Sequence, residues 1–285
     1  MQQPMPRRKR NAAGPVLLVV LVVVVVVIGG VIGMIRLVLT ATIRDVSAMP
    51  WPSSTQAAPA AGPATSPPLS AADAEKLVNQ VSPGLVDIDV KLTADHVMSG
   101  TGIVLDPSGL VMTNNHVIAG GTEMIVTDVQ NKNQYRAVLV GNDPAHDVAV
   151  VQMQDASGLS VAQLGNSDTV QLGDQVAAIG NAGGADDRPS VGTGQVTELH
   201  HSATATDENG GNRESLTDLI EAIDGIRAGD SGGALVNTDG IVIGMNVAGG
   251  VDGFQGTPNG SGDAIRINDA ITCAHAIVDH ANATR

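Results

Sequence analysis

The pattern of apolar and polar positions changes character three times along the chain. From Val16 to Ile35 there are 20 consecutive residues without a charge, and at 1.5 Å per residue a helix of that length spans about 30 Å of hydrocarbon. Residues 16–40 are therefore predicted to form a transmembrane signal-anchor helix. From Pro50 to Pro68 the sequence PWPSSTQAAPAAGPATSPP offers little apolar surface to bury, and its Pro, Ala and Ser content favours extended, semi-rigid chain. Residues 41–70 read as a linker.

Past the linker a short helix is predicted over Ala71 to Val81, with Ser70 as its N-cap. The pattern then turns to short apolar runs separated by Gly, Pro, Asn and Asp, which is a strand signal. The first group of runs is Leu85 to Val90, Thr101 to Leu105, Leu110 to Thr113, Glu123 to Asp128, Arg136 to Val140 and Val148 to Gln152. The second is Gln175 to Ile179, Gly192 to Leu199, Leu219 to Ile223, Gly233 to Val236, Ile241 to Val247 and Ala264 to Ile267. Two groups of about six strands predict an all-β domain over residues 71–285. It has one antiparallel barrel at about 83–155, a second at about 170–268 and a C-terminal helix at 268–282. The polar stretch Ser202 to Ser215 reads as a mobile surface loop. No internal repeat or sustained heptad is present.

Composition narrows this picture. One Trp, one Tyr and one Phe leave the core to Val, Ile, Leu, Met and Ala. Cys273 has no intramolecular partner, so disulfides cannot hold the fold, and its Ala/Ile-rich helical surroundings make it a packing residue. Up to Arg44 there are six basic residues and no acidic one, leaving nine basic against 29 acidic residues beyond. An acidic domain repels polyanions, so nucleic acid is excluded as a partner. The run Arg7, Arg8, Lys9, Arg10 makes residues 1–15 a cytoplasmic basic tail and puts the domain outside the membrane, a single-pass topology. A cleaved signal peptide is the alternative, although its apolar region would be shorter, about 7 to 15 residues. A homo-oligomer is left open.

The chemistry rests on three segments. In Thr113-Asn114-Asn115-His116-Val117 a histidine follows an apolar strand. In Asp143-Pro144-Ala145-His146-Asp147-Val148 a carboxylate immediately precedes the most hydrophobic strand of the first half. His146 beside it is expected on that strand, with its side chain on the opposite face, toward solvent. In Gly229-Asp230-Ser231-Gly232-Gly233 a serine is flanked by glycines, which let the backbone turn sharply and aim N–H groups at one point. Amide hydrolysis needs a nucleophile, a base, a group that orients the base and donors for the oxyanion. Each segment alone is a weak signal. Together their order, His116 then Asp147 then Ser231, is that of chymotrypsin-like barrels, whereas subtilisins run Asp, His, Ser and α/β-hydrolases run Ser, Asp/Glu, His.

From about residue 75 to 282 the chain resembles the trypsin-like proteases of the HtrA/Deg type. Leu77-Val78-Asn79-Gln80-Val81-Ser82-Pro83-Gly84-Leu85-Val86 is similar to the family's opening helix and strand. Ser99-Gly100-Thr101-Gly102-Ile103-Val104 with the TNNHV segment is similar to its histidine region. Leu164-Gly165-Asn166-Ser167-Asp168, Ala178-Ile179-Gly180-Asn181 and Gly262-Asp263-Ala264-Ile265-Arg266-Ile267-Asn268 are similar to its second barrel.

The resemblance implies a chymotrypsin-like fold and endopeptidase activity on unfolded or extended polypeptide, often in envelope protein quality control. His116, Asp147 and Ser231 would form the triad, and Gly229, Asp230 and Ser231 the oxyanion hole. Asn246, Val247 and Ala248 would be the docking edge, and Gly225 the base of a pocket for a modest apolar side chain. No cofactor or metal is implied. Members usually carry PDZ domains after the protease, and here the chain is expected to lack one. Asp230 stands where Asn is frequent, and Asp263 where an aromatic or apolar residue is common. Two alternatives remain. One is a membrane-tethered, inactive peptide-binding module. The other is an α/β-hydrolase esterase using Gly229-x-Ser231-x-Gly233, with Asp263 and His275 completing its triad.

Overall fold

A computed structural model of the chain describes residues 68–93, 96–181, 188–206, 213–223, 225–227, 229–247 and 261–284. The basic tail, the apolar span, nearly all of the linker and Ala248 lie outside the described residues. Among the described residues no helix is long and apolar enough to cross a membrane.

Helix α1 (Ala71–Val81) opens on the predicted cap. The Ser70 hydroxyl accepts from the Asp73 N–H, and the Asp73 carboxylate accepts from the Ser70 N–H. Six strands follow: β1 (Leu85–Thr93), β2 (His96–Asp106), β3 (Leu110–Thr113), β4 (Glu123–Asp128), β5 (Gln134–Asp143) and β6 (Val148–Met153). A four-residue helix, α2 (Asn115–Ile118), follows β3. The strands close an antiparallel barrel in the order β1-β2-β3-β6-β5-β4. The second six are β7 (Gln175–Gly180), β8 (Ser190–Thr206), β9 (Arg213–Ile223), β10 (Ala234–Asn237), β11 (Val242–Val247) and β12 (Ser261–Arg266). They close another barrel as β10-β11-β12-β9-β8-β7. Helix α3 (Ile267–Ala283) ends the domain.

β6, β7 and β11 are buried at every position, which is why they read as continuous apolar runs rather than as alternating ones. Each supplies two cores. Ala149, Val151 and Met153 of β6 fill the first barrel with Val86 and Ile88. Val176 and Ala178 of β7 fill the second with Val196, Ile220 and Leu235. The opposite faces, Val148 and Val150 of β6 with Ala177 and Ile179 of β7, join one larger cluster that runs through α1 and α3 and ties the barrels together.

The strand hairpin β8–β9 corrects one expectation. Ser202 to Ser215 is not simply a loop, because pairing continues through Ala203↔Leu216 to Thr206↔Arg213. His146 is also placed differently from the expectation, on a 3-10 turn (Pro144–His146) ahead of β6. It is exposed for that reason, not through strand alternation.

Candidate active site

The His116 and Asp147 segments are held to each other by four hydrogen bonds. His116 lies in α2, in the turn where β3 leaves the barrel. Asp147 follows the 3-10 turn in the left-handed conformation, φ 53° and ψ 42°, which a short polar side chain tolerates better than most. That conformation turns its fully buried carboxylate toward α2. Oδ1 accepts from the His116 backbone N–H at 2.9 Å, and Oδ2 lies 2.8 Å from His116 Nδ1. The Asp147 carbonyl accepts from the Asn115 N–H at 3.2 Å and from the Asn114 side-chain amide at 3.1 Å. One residue thus fixes the backbone and the ring of the histidine, and the Nδ1–H bond selects the tautomer whose Nε2 can accept a proton.

Ser231 comes from the other barrel, on the turn before β10, and is buried. Its carbonyl accepts from the Thr101 N–H of β2 at 2.8 Å, while the Gly232 N–H donates to the Asn246 carbonyl at 2.9 Å. The turn requires glycine at position 232. There φ is +80°, and a Cβ would lie 2.1 Å from the Thr101 carbonyl and 2.3 Å from Thr113 Oγ1. Gly229 also has positive φ, +93°.

Thr101, fully buried, was not singled out in the sequence and is the junction of the two barrels. Its hydroxyl donates to the Gly229 carbonyl at 2.8 Å and accepts from the Asn181 N–H at 3.0 Å. Its carbonyl accepts from Thr113 Oγ1 at 2.7 Å. The nearest sequence signal was its pair of flanking glycines. At Gly100 a Cβ would meet Val117, next to His116, at 2.6 Å.

Asp230 has its partners in the structure. One carboxylate oxygen accepts from the Ser190 hydroxyl and the other from the Arg227 N–H at 2.9 Å. Its own N–H donates to the Arg227 carbonyl at 3.0 Å. Asp230 therefore ties the turn together and has no N–H left to offer an oxyanion, leaving Gly229 and Ser231 of the three expected donors.

The docking-edge residues divide. Asn246 is buried, with both backbone groups bonded to the Gly232–Gly233 turn and its side-chain amide reaching the Ile179 carbonyl at 3.3 Å. Val247 pairs with Asp263 on one side, while β10 pairs with β11 only as far as Met245. Gly225 is exposed, and a Cβ there would meet nothing within 4 Å, so among the described residues it is not enclosed as the floor of a pocket. Asp263 faces an acidic surround. Burial, opposed by His201 and reinforced by Glu221 and Glu198, pushes its carboxyl up to about 6.

Among the described residues, two groups of three side chains could hold a metal, Asp143, His146 and Cys273, on the turn that leads into Asp147 and on α3, and Glu198, His201 and Glu221. Antiparallel barrels do not provide the alternating parallel strands and helices that the esterase alternative requires.

The trypsin-like peptidase domain family matches residues 100–245, and the chain belongs to that family. Among individual proteins, it is 34% identical over 205 residues to the serine protease PepD of Mycobacterium tuberculosis, covering 69% of this chain and 43% of that one. It is 36% identical over 150 residues to the periplasmic serine endoprotease DegP of Escherichia coli, covering 52% and 30%. The solved structure of the HtrA-type protease AlgW with a tripeptide matches with a TM-score of 0.58 and 30% identity, over 74% of this chain and 64% of that one. The chain thus spans less than half the length of these curated relatives.

Proposed function

We propose that the chain is a serine endopeptidase that cleaves extended or unfolded polypeptide outside the cytoplasmic membrane, in envelope protein quality control, anchored through residues 16–40. The observation that carries this reading is the double hold of Asp147 on His116, at 2.9 Å to the backbone and 2.8 Å to the ring. A turn residue has no need of both contacts, whereas a general base needs its position and its tautomer fixed together. His116 takes the Ser231 proton as Oγ attacks the scissile carbonyl, and Asp147 stabilises the imidazolium that forms. The N–H groups of Gly229 and Ser231 hold the oxyanion. His116 then returns the proton to the leaving amine, and water releases the acyl group by the same route. Substrate backbone adds alongside Val247 as an extra strand.

The test is labelling with a fluorophosphonate together with casein hydrolysis, comparing the parent with Ser231→Ala. Both signals should vanish in the variant while circular dichroism is unchanged. Hydrolysis near the parent level in Ser231→Ala would refute the assignment, and a folded parent that neither labels nor hydrolyses would point to the binding-module alternative.

A further inference from the structure

We propose that Asp143, His146 and Cys273 form a binding site for a divalent ion of the zinc class. The three offer a carboxylate oxygen, an imidazole nitrogen and a thiol sulfur, all within 4.8 Å of one another. Zinc bonds of 2.0–2.3 Å in a tetrahedron place ligand atoms about 3.3–3.8 Å apart, so small side-chain rotations close the set. An oxygen, nitrogen and sulfur donor set favours zinc-like ions over magnesium or calcium, which prefer oxygen alone.

The ligands come from two elements that such an ion would tie together. Asp143 and His146 flank the 3-10 turn before β6, where His146 Nδ1 now lies 2.7 Å from Asp143 Oδ2, and Cys273 lies on α3. A cleft of about 410 Å³ opens beside them, lined in part by His146, Asp218, Asp269, Thr272 and Cys273, which gives an ion access from solvent. Asp269, one helical turn before Cys273, lines the same cleft, and a water from the cleft would complete the four ligands. Zinc binds the thiolate, so the ion would enter by displacing the thiol proton to solvent. The cluster at Glu198, His201 and Glu221 lacks sulfur and is the weaker candidate. The inference does not rest on peptidase activity, although the same turn presents Asp147.

The test is titration of the full chain with Co²⁺, whose tetrahedral thiolate complexes show a charge-transfer band in the near ultraviolet. One equivalent should produce the band, and Zn²⁺ should erase it. Cys273→Ser should abolish the band, and His146→Gln, a change at an exposed side chain, should weaken binding at least about tenfold. Glu198→Gln and Ser231→Ala should titrate like the parent, which separates this site from the other cluster and from the peptidase reading. The proposal is overturned by absence of the band in the parent, by His146→Gln binding as the parent does, or by loss of the band in Glu198→Gln.

Discussion

Replacing Thr101 by Val removes one hydroxyl from the junction of the barrels and leaves two buried groups, the Gly229 carbonyl and the Asn181 N–H, without the partners now at 2.8 and 3.0 Å. Each buried orphan costs about 1–3 kcal/mol, so the loss is about 2–6 kcal/mol, a large part of the roughly 5–15 kcal/mol that holds a domain folded. The domain can recover some of this by rotating the Gly229–Asp230 peptide toward water. That movement breaks the Asp230 N–H bond to the Arg227 carbonyl and loosens the turn that would aim the Gly229 and Ser231 N–H groups at the oxyanion, for which the rate cost is about 10²–10³ in kcat. The expected result is a lower melting temperature and a kcat reduced about a hundredfold with KM nearly unchanged, measured on a chromogenic peptide. Thr101→Ser restores the hydroxyl and should recover most of the rate. A Thr101→Val enzyme within about threefold of the parent, or a Thr101→Ser enzyme as damaged as Thr101→Val, would refute this reasoning, the second by showing that the methyl group mattered instead.

Asp147→Asn should lower turnover about 10⁴-fold, because the amide favours the wrong tautomer of His116; a loss below about tenfold with an intact dichroism spectrum would assign the orienting role elsewhere. Activity should rise with pH through the ordinary histidine range, about 5.5 to 7.5, as one proton leaves the base, and a flat profile would contradict a histidine base. Asp87, next to the Asn181 side chain, has its carboxyl pushed up to about 6 by burial, above its ordinary 3.8. Its contribution to stability is therefore full below pH 3.8 and lost as pH rises through 6. Asp87→Asn should raise stability at pH 7.5 by roughly 1–2 kcal/mol after solvent screening and leave it unchanged near pH 3.5; thermal melts at the two pH values check this. The full chain should sediment with membranes while a chain beginning at residue 71 stays in the supernatant, and N-terminal sequencing beyond Ile35 would instead mark a cleaved signal.

The strands that the sequence revealed best are those buried on both faces. Val148 to Gln152 and Gln175 to Ile179 were expected almost to the residue, since a continuous apolar run bounded by turn residues has few other uses. The extensions of β8 to Thr206 and of β9 back to Arg213 were missed, because Ser202 to Ser215 is mostly Ser, Thr, Asn, Gly and charged residues and its apolar alternation rests on the small Ala203 and Ala205 alone. At the site, residue types and chain order pointed to His116, Asp147 and Ser231, and the structure joins the His116 and Asp147 segments by four hydrogen bonds. The left-handed backbone of Asp147 and the use of the Asp230 N–H within its own turn depend on contacts that no local pattern encodes. Thr101 looked like any small strand residue, and its role exists only because another barrel lies against it. Cys273 read as packing, and it does pack, partly buried, against the largest core cluster; its other neighbours were not legible. Asp143 and His146 reach it from far along the chain, and no spacing rule connects them.

His116 and Asp147 stand on the first barrel and Ser231 on the second, with Thr101 fastening one to the other. During synthesis the first barrel leaves the ribosome before Ser231 exists, and a molecule with only one half folded cannot bring the His116 and Ser231 segments together. If the proposed triad does the chemistry, proteolytic competence is therefore the last property the chain acquires. Partly folded copies, whose exposed segments would suit such an enzyme as substrate, cannot yet cut one another.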